Sequence, residues 1–228
     1  QWKLAGLFHD IGYPAQIAKD LLKSYTDRIN EIANTISLAS QEIHFNIVPV
    51  GLDRLQNDVN SFDLMQKYLD KWDLNINAKA VYDISIQKGN ICHGMISALC
   101  VLYIIDLLYQ ENNPSREVND YSGWSQHCFT GDVVSACTAI FIHNLPSEYF
   151  KHSKISLDKA PIAYLLKLSD CLQDWERPSK NNKHGFPANS YDIDVVNKTL
   201  FFSAPAERKE KITDKVVSCL IDENIEIT

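Results

Sequence analysis

The sequence predicts an all-α fold, a helical bundle that carries a small β-hairpin and a helix at its C-terminal end. Three observations support this prediction. Apolar residues recur at three-and-four spacing through most of the chain, the segment 90–109 is apolar on all sides, and strict apolar–polar alternation appears only after residue 190. The chain has 228 residues, 45% of them hydrophobic, with only eight Gly and eight Pro. This composition allows a buried core and excludes disordered and collagen-like chains.

The first half of the chain predicts three amphipathic helices, over residues 15–43, 52–72 and 78–86, the last of which ends at Gly89. Residues 90–109 predict a long helix without a polar face, which favours a position at the centre of the bundle. The apolar stripe of the 15–43 helix is either core or an oligomer interface, so the sequence is compatible with a homo-oligomer. Residues 110–125, which contain Pro114 and Gly123, predict a loop.

The second half predicts two more helices before the pattern changes. One runs over residues 133–143 and is stopped by Pro146, and the other opens with Pro161 in its first turn and continues to residue 176. After a polar loop at 180–185, alternating residues predict a hairpin of strands 191–195 and 199–203. A helix over 207–220 and a short segment at 225–227 follow. The sequence therefore predicts an all-α domain over 1–178 and a small extension over 185–228.

Charge and cysteine usage restrict the classes of function. The net charge of −7 argues against an extended, sequence-blind nucleic-acid surface, although a short nucleic-acid strand in a cleft remains compatible with it. The longest apolar run, residues 96–105, is too short to span a bilayer, so no membrane association is expected. Six cysteines without a C-x-x-C pair favour reduced thiols in the cytoplasm. Because the chain opens at Gln1 in the middle of a helical pattern, we expect it to be a piece of a longer protein.

Five ionisable residues stand in segments whose neighbours are apolar. His9 and Asp10 end the first helical turn, His93 begins the long apolar helix, His143 ends the next helix, and Asp170 interrupts the last one. Charged groups are seldom buried without a partner or a metal. A helical bundle builds a metal site when facing helices each direct one such side chain inward. The competing structural interpretations are an ion pair at the helix end for His9 and Asp10, and hydrogen-bonded buried residues for the others.

The ligand types predict the class of metal. Imidazole nitrogens with carboxylate oxygens, and no paired thiolates, favour one or two divalent ions of Mn, Fe, Co, Ni or Zn over Cu(I) or an iron–sulfur cluster. Asp10 has two oxygens and can bridge two ions. Two ions about 4 Å apart can activate a hydroxide and clamp a phosphate between them.

Four motifs in this order resemble the HD superfamily of metal-dependent phosphohydrolases. The branch with extra histidines, which includes the HD-GYP cyclic-dinucleotide phosphodiesterases and the HD nucleases of CRISPR interference, is the most similar. The motifs that carry the resemblance are His9-Asp10-Ile11-Gly12, His93-Gly94 with Ser97-Ala98, the segment from Ala139 to Asn144, and Leu168-Ser169-Asp170.

The resemblance implies a role for each candidate residue. His9, Asp10 and Asp170 would hold one ion, with Asp10 bridging as the central catalytic residue. His93 and His143 would hold the second ion, and His127 could supplement them, although an ordinary surface histidine is the favoured interpretation of His127. The implied activity is phosphohydrolase or phosphodiesterase chemistry through a metal-bound hydroxide. The implied substrate is a small phosphoester or nucleotide.

Departures from the family pattern keep other functions open. The family's first histidine would lie before Gln1, Tyr13 replaces a frequent lysine, and Asn144 replaces a second consecutive histidine. The 83 positions between Asp10 and His93 imply a helical insertion over about 15–88 within an HD domain over 1–178. A non-catalytic HD-type sensor or interaction module, with one structural metal or none, is therefore an alternative. A helical interaction domain with a degenerate resemblance is a third interpretation.

Overall fold

The computed structural model describes most of the chain as helices. The described residues are 1–35, 49–112, 126–172, 190–194, 199–203, 210, 213, 216–220 and 225–227. Their helices are α1 (Trp2–Phe8), α2 (Tyr13–Thr35), α3 (Ser61–Lys71), α4 (Ala78–Gln87), α5 (His93–Asn112), α6 (Gln126–Cys128), α7 (Ser135–His143) and α8 (Pro161–Leu172). The predicted predominance of helix is thus confirmed.

The starts of α3 and α4 follow from local capping. The side-chain oxygen of Asn60 accepts a hydrogen bond from the Phe62 amide at 2.8 Å, and Asn77 does the same for the Ala80 amide at 2.8 Å. Each bond satisfies one amide that the first helical turn leaves without an internal partner. At the other end of α4, Gly89 takes a φ of 63°, the left-handed conformation that stops a helix.

The core lies where α5 meets α7. Every residue of α7 is buried, and α7 packs against α5, α8 and α1. The central position predicted for the 90–109 segment is confirmed, because α5 contributes several of the fully buried side chains. Among the described residues, one window, His93–Glu111 of α5, is long and apolar enough to cross a membrane, but 56% of it is buried inside the protein. The large side chains buried most completely at this contact are Met95, Leu99, Leu102, Ile140, Phe141 and Ile142.

A π-helical segment joins α6 to α7. Residues Phe129–Val134 form the wider helix, and α7 continues directly from it. The hydroxyl of Tyr68 on α3 donates to the Thr130 carbonyl at 2.8 Å. The side-chain amide nitrogen Nε2 of Gln1 donates to the Gly131 carbonyl at 3.3 Å. The continuous helical segment that ends at His143 therefore begins at Gln126, several residues before the predicted 133–143 helix.

One prediction about the N-terminal helices needs correction, and for another the structure excludes one of the two alternatives. Residues 52–60 are not helical apart from the short 3₁₀ turn Gln56–Asp58, because Asp58 adopts a φ of 57° and the helix starts only after Asn60. The apolar stripe on α2 is not core: Ile17, Leu21 and Tyr25 are 56%, 67% and 62% exposed. Residues 36–43 of the predicted 15–43 helix and 173–176 of the predicted 161–176 helix lie outside the described residues.

The C-terminal region contains three short strands. β1 (Ser190–Asp194) pairs antiparallel with β2 (Thr199–Ser203), and β3 (Ile225–Ile227) pairs parallel with β2. The turn predicted at Asn197-Lys198 lies outside the described residues. Of the predicted 207–220 helix, residues 210, 213 and 216–220 are described; all are helical except Leu220, which forms an isolated parallel bridge with Ile155. The Ile155 amide donates to the Cys219 carbonyl at 2.9 Å, so this helix is tied to the segment before α8.

Tyr82 gives the folded protein a defined sensitivity to high pH. Its ring is buried against Phe62, and burial, reinforced by Asp53 and Asp83, raises its pKa to about 12. The fold favours the neutral phenol, so this contribution to stability is present below pH 10 and is lost between about pH 10 and 12. We expect Tyr82→Phe to flatten the fall of the unfolding free energy over that window, measured by urea titration. Tyr25→Phe is the exposed control, and equal slopes for the two variants would contradict the prediction.

Candidate metal centre

Three segment ends meet on one side of the α5–α7 contact. His9 closes the C-terminus of α1 and Asp10 follows it, His93 is the first residue of α5, and His143 is the last residue of α7. The turn after α1 is held against α5 by a hydrogen bond from the Gly12 amide to the Ser97 hydroxyl at 2.8 Å. The fold thus brings together side chains that are separated by up to 134 positions.

Asp10, His93 and His143 lie close enough together to bind a metal ion. One ligand atom from each lies within 4.8 Å of the other two. His93 Nε2 is 3.2 Å from Asp10 Oδ1, and His9 Nε2 is 3.3 Å from the other oxygen, Oδ2. The His143 ring stands edge-on to both, with centroid separations of 5.2 Å from His93 and 5.3 Å from His9. Three imidazoles therefore surround one carboxylate.

The far nitrogen of each imidazole faces an oxygen atom. His9 Nδ1 lies 2.9 Å from the Gly6 carbonyl, and His143 Nδ1 lies 2.6 Å from the Ile140 carbonyl. A carbonyl only accepts, so each Nδ1 carries the proton and each Nε2 presents its lone pair to the cluster. Metal-ligating histidines have this arrangement almost without exception. A lone pair that faces a carboxylate oxygen requires a cation between them, either a proton or a metal ion.

His143 is suited to be a neutral ligand. Its side chain is fully buried, and this burial lowers its pKa to about 3, even though the hydrogen bond to the Ile140 carbonyl opposes the shift. Within the described part of the chain, no hydrogen-bond partner reaches its buried Nε2. An unprotonated nitrogen without a partner in a buried site is costly, and coordination of a divalent ion would satisfy it. The residues present therefore fit a divalent metal.

Two glycines allow the close approach that forms the cluster. A Cβ atom on Gly94 would lie 2.8 Å from His143 Cε1 and 2.8 Å from the Ile140 carbonyl oxygen. A Cβ atom on Gly12 would lie 2.4 Å from the His93 carbonyl oxygen. All three distances are shorter than a carbon atom tolerates, so any larger residue would push the ligand-bearing segments apart.

A buried lysine fixes the end of α7. Lys167 on α8 is only 7% exposed, and its ammonium donates to the carbonyls of His143 at 2.7 Å and Leu145 at 3.1 Å. A cation that binds the last carbonyls of a helix also interacts favourably with the helix dipole. Lys167 therefore holds the backbone that carries His143.

The cluster is open to solvent on the side of Asp10. The Asp10 side chain is 46% exposed, whereas the side chains of His93 and His9 are 4% and 12% exposed. A three-ligand set with one accessible edge leaves coordination positions for water or substrate, as catalytic metal sites do and closed structural sites do not.

The three other predicted ligands, His9, Asp170 and His127, are not members of the three-residue group whose ligand atoms lie within 4.8 Å of one another. Asp170 is half-buried near the end of α8, which contacts α7 and α1, and it is not part of the three-ligand group. His127 is exposed on α6 and is not part of it either. Sequence reasoning missed two residues, Gln16 and Lys167. Gln16 contacts the His93 ring, and Lys167 donates to the His143 carbonyl. Neither residue had a signal in the sequence, because both contacts arise from packing between distant segments.

No family model, no curated protein and no solved structure matches this chain. The candidate metal centre is therefore supported by its own geometry.

Proposed function

We propose that the protein is an HD-type metal-dependent phosphohydrolase or phosphodiesterase that acts on a nucleotide or another small phosphoester. The observation that carries this proposal is the convergence of Asp10, His93 and His143 into one group with an exposed edge. These residues belong to three of the four motifs that resemble the HD superfamily. The proposal includes an HD domain over 1–178, with an insertion over about 15–88.

Asp10, His93 and His143 would hold one divalent ion. Asp10 Oδ2, which faces His9, could share a second ion, with Asp170 as a further ligand. Nitrogen and carboxylate oxygen ligands suit Mn, Fe, Co, Ni or Zn. When bound, such an ion supplies Lewis-acid chemistry, which polarises a phosphoryl oxygen and acidifies water.

The protein residues would bind and orient the substrate around this edge. Asp10 is the most exposed member of the cluster, so a phosphoester would approach across its carboxylate. His9 Nε2 and Asp10 Oδ2 are 3.3 Å apart, and where no second ion lies between them this pair can accept a proton from an attacking water. The buried His93 and His143 rings exclude water from the inner side. The net charge of −7 favours a small phosphoester over a long nucleic acid.

The location proposed for the protein follows from its thiols and its surface. The cysteines of the described residues are all free, which favours the reducing cytoplasm. No membrane partner is proposed, because the apolar helix α5 is used in the core. The exposed apolar stripe on α2 is compatible with a homo-oligomer.

The proposal is tested by metal content and by hydrolysis of bis(4-nitrophenyl) phosphate with Mn²⁺ or Zn²⁺. We expect the wild-type chain to bind at least one ion and to hydrolyse the ester, and His143→Ala to lose both properties. His152→Ala is the matched control, because His152 is exposed and outside the cluster. Hydrolysis that survives a chelator, or that is unchanged in His143→Ala, would refute the proposal.

A non-catalytic HD-type sensor or interaction module is the second candidate. It is favoured by the exposed position of His127 and by the close group itself, which contains three of the six predicted ligands. In that case the melting temperature would rise with the logarithm of the free metal concentration once that concentration exceeds the Kd, and no phosphoester would be hydrolysed. Hydrolysis abolished by His143→Ala would rule this candidate out.

A further inference from the structure

Gln16, in the first turns of α2, reaches the residue that begins α5. Its side-chain oxygen Oε1 lies 2.9 Å from the backbone nitrogen of His93 and 2.8 Å from His93 Nδ1. The two residues are 77 positions apart in the chain. One amide oxygen therefore contacts both the main chain and the ring of a member of the metal cluster.

The backbone contact decides which atom of the Gln16 amide faces His93. A backbone N–H can only donate, so the atom 2.9 Å away must be the acceptor oxygen. The same oxygen lies 2.8 Å from His93 Nδ1, and two acceptors at that distance would repel each other. His93 Nδ1 must therefore carry a proton. In the neutral ring, Nε2 then has the lone pair, directed at Asp10.

Asn144 makes the opposite demand on the same ring nitrogen. Its amide nitrogen lies 3.2 Å from His93 Nδ1 and would donate to it only if Nδ1 were unprotonated. That tautomer would place the proton on Nε2, where it blocks coordination. The Gln16 contact is shorter, and the His93 backbone N–H requires an oxygen at that position. Gln16 therefore determines that Nδ1 of His93 is protonated. Rotation of the Asn144 amide by 180° then gives Nδ1 a second acceptor.

Tyr13, one turn before Gln16, limits the remaining freedom of the ring. The Tyr13 and His93 rings are stacked with centroids 4.0 Å apart and planes inclined by 14°. The stack fixes the plane of the imidazole, and the Gln16 oxygen fixes its rotation within that plane. The start of α2 thus orients the His93 ring completely.

We propose that Gln16 is a positioning residue that holds His93 in the tautomer required for metal binding, through the pair of hydrogen bonds to the His93 backbone and ring. This role of Gln16 in metal binding rests on the metal site proposed above. The tautomer of His93 does not, because the hydrogen bonds that determine it form in the protein without a metal. The loss of such an outer hydrogen bond typically costs 10–100-fold in metal affinity.

Two substitutions at Gln16 separate the hydrogen bond from the space that the side chain fills. Gln16→Leu removes the acceptor and keeps the volume, and we expect it to weaken Zn²⁺ or Co²⁺ affinity by roughly 10–100-fold. Gln16→Glu keeps an oxygen at the same position, and we expect its affinity to stay within about threefold of wild type or to increase. Affinity is measured by competition with a chromophoric chelator.

Lys19→Met is the matched control on the same helix. Lys19 lies one turn after Gln16 and donates to the Ile91 carbonyl at 3.2 Å, so it also ties α2 to the segment before α5 without touching the ring. We expect this variant to lose stability without the metal but to keep metal affinity within about threefold of wild type. An equal loss of affinity in Lys19→Met and Gln16→Leu would assign both effects to helix docking and overturn the proposal.

A second measurement is independent of metal. Long-range ¹H–¹⁵N correlation spectra of the metal-free protein report which nitrogen of His93 is protonated. We expect a proton on Nδ1 in wild type and Gln16→Glu, whether or not a second proton lies on Nε2 beside Asp10, and a shift towards the form protonated at Nε2 alone in Gln16→Leu. A wild-type ring that is protonated at Nε2 and not at Nδ1 would overturn the inference. If the wild type shows the Nδ1 form but binds no metal, the tautomer assignment stands and the proposed function fails.

Discussion

Replacing Asp10 by asparagine is expected to lower phosphoester hydrolysis by roughly 10³-fold and to reduce metal content to less than one ion per chain. Asp10 is the only anionic member of the three-ligand group, and its two oxygens face the His93 and His9 rings. An amide is a weaker ligand, has one oxygen instead of two, and cannot offset the charge of a divalent ion. Affinity and activity should therefore fall together.

The control for this experiment is Asp20→Asn. Asp20 is exposed on α2 and pairs with Lys19. The substitution Asp20→Asn therefore removes the same negative charge without changing a contact to the cluster. Metal content by mass spectrometry and the rate with bis(4-nitrophenyl) phosphate should be unchanged in Asp20→Asn. Equal activity in both variants would show that the carboxylate of Asp10 takes no part in the chemistry.

Gly94→Ala is expected to destabilise the fold by about 3 kcal/mol and to abolish metal binding. The added methyl group would lie 2.8 Å from the His143 ring and 2.8 Å from the Ile140 carbonyl oxygen. Because α7 is buried along its whole length, it cannot move away without opening the core. The His143 ring would be displaced from the cluster.

Urea unfolding and metal titration test this prediction together. Gly6→Ala is the matched control, since a Cβ atom on Gly6 meets nothing within 4 Å and alanine favours the helix. We expect Gly6→Ala to be neutral or stabilising by up to about 1 kcal/mol, with metal affinity unchanged. If Gly94→Ala matched Gly6→Ala in both measurements, the close packing of α5 on α7 would not be needed for the site.

The sequence allowed the centre of the fold to be predicted because a helix without a polar face, such as 90–109, lies either in a protein core or in a membrane. The first half of α5 is buried against α7 in the core. The segment 52–60 was predicted wrongly, because its apolar spacing does not reveal the positive φ of Asp58 or the cap at Asn60. The exposed apolar stripe on α2 shows that an apolar helix face does not by itself reveal which element or partner packs against that face.

The three residues of the candidate metal group were predicted from their placement in apolar segments. A histidine or aspartate in such a position needs a partner, and Asp10, His93 and His143 find one another. Gln16 and Lys167 were not predicted. A glutamine on an amphipathic helix and a lysine on a short one look like ordinary surface residues until the packing brings them to His93 and to the end of α7.

The π-helical segment Phe129–Val134 has a genetic consequence. A π turn accommodates one residue more than an α turn, so deletion of a single codon, such as that of Gly131, would restore a regular α-helix from Gln126 to His143. Because the π turn takes up the extra residue locally, the residues before and after the deletion would keep the faces that they present now, and His143 would stay in place. Orthologous genes with and without this codon should therefore share both the ligand at the end of α7 and the buried face of this helix.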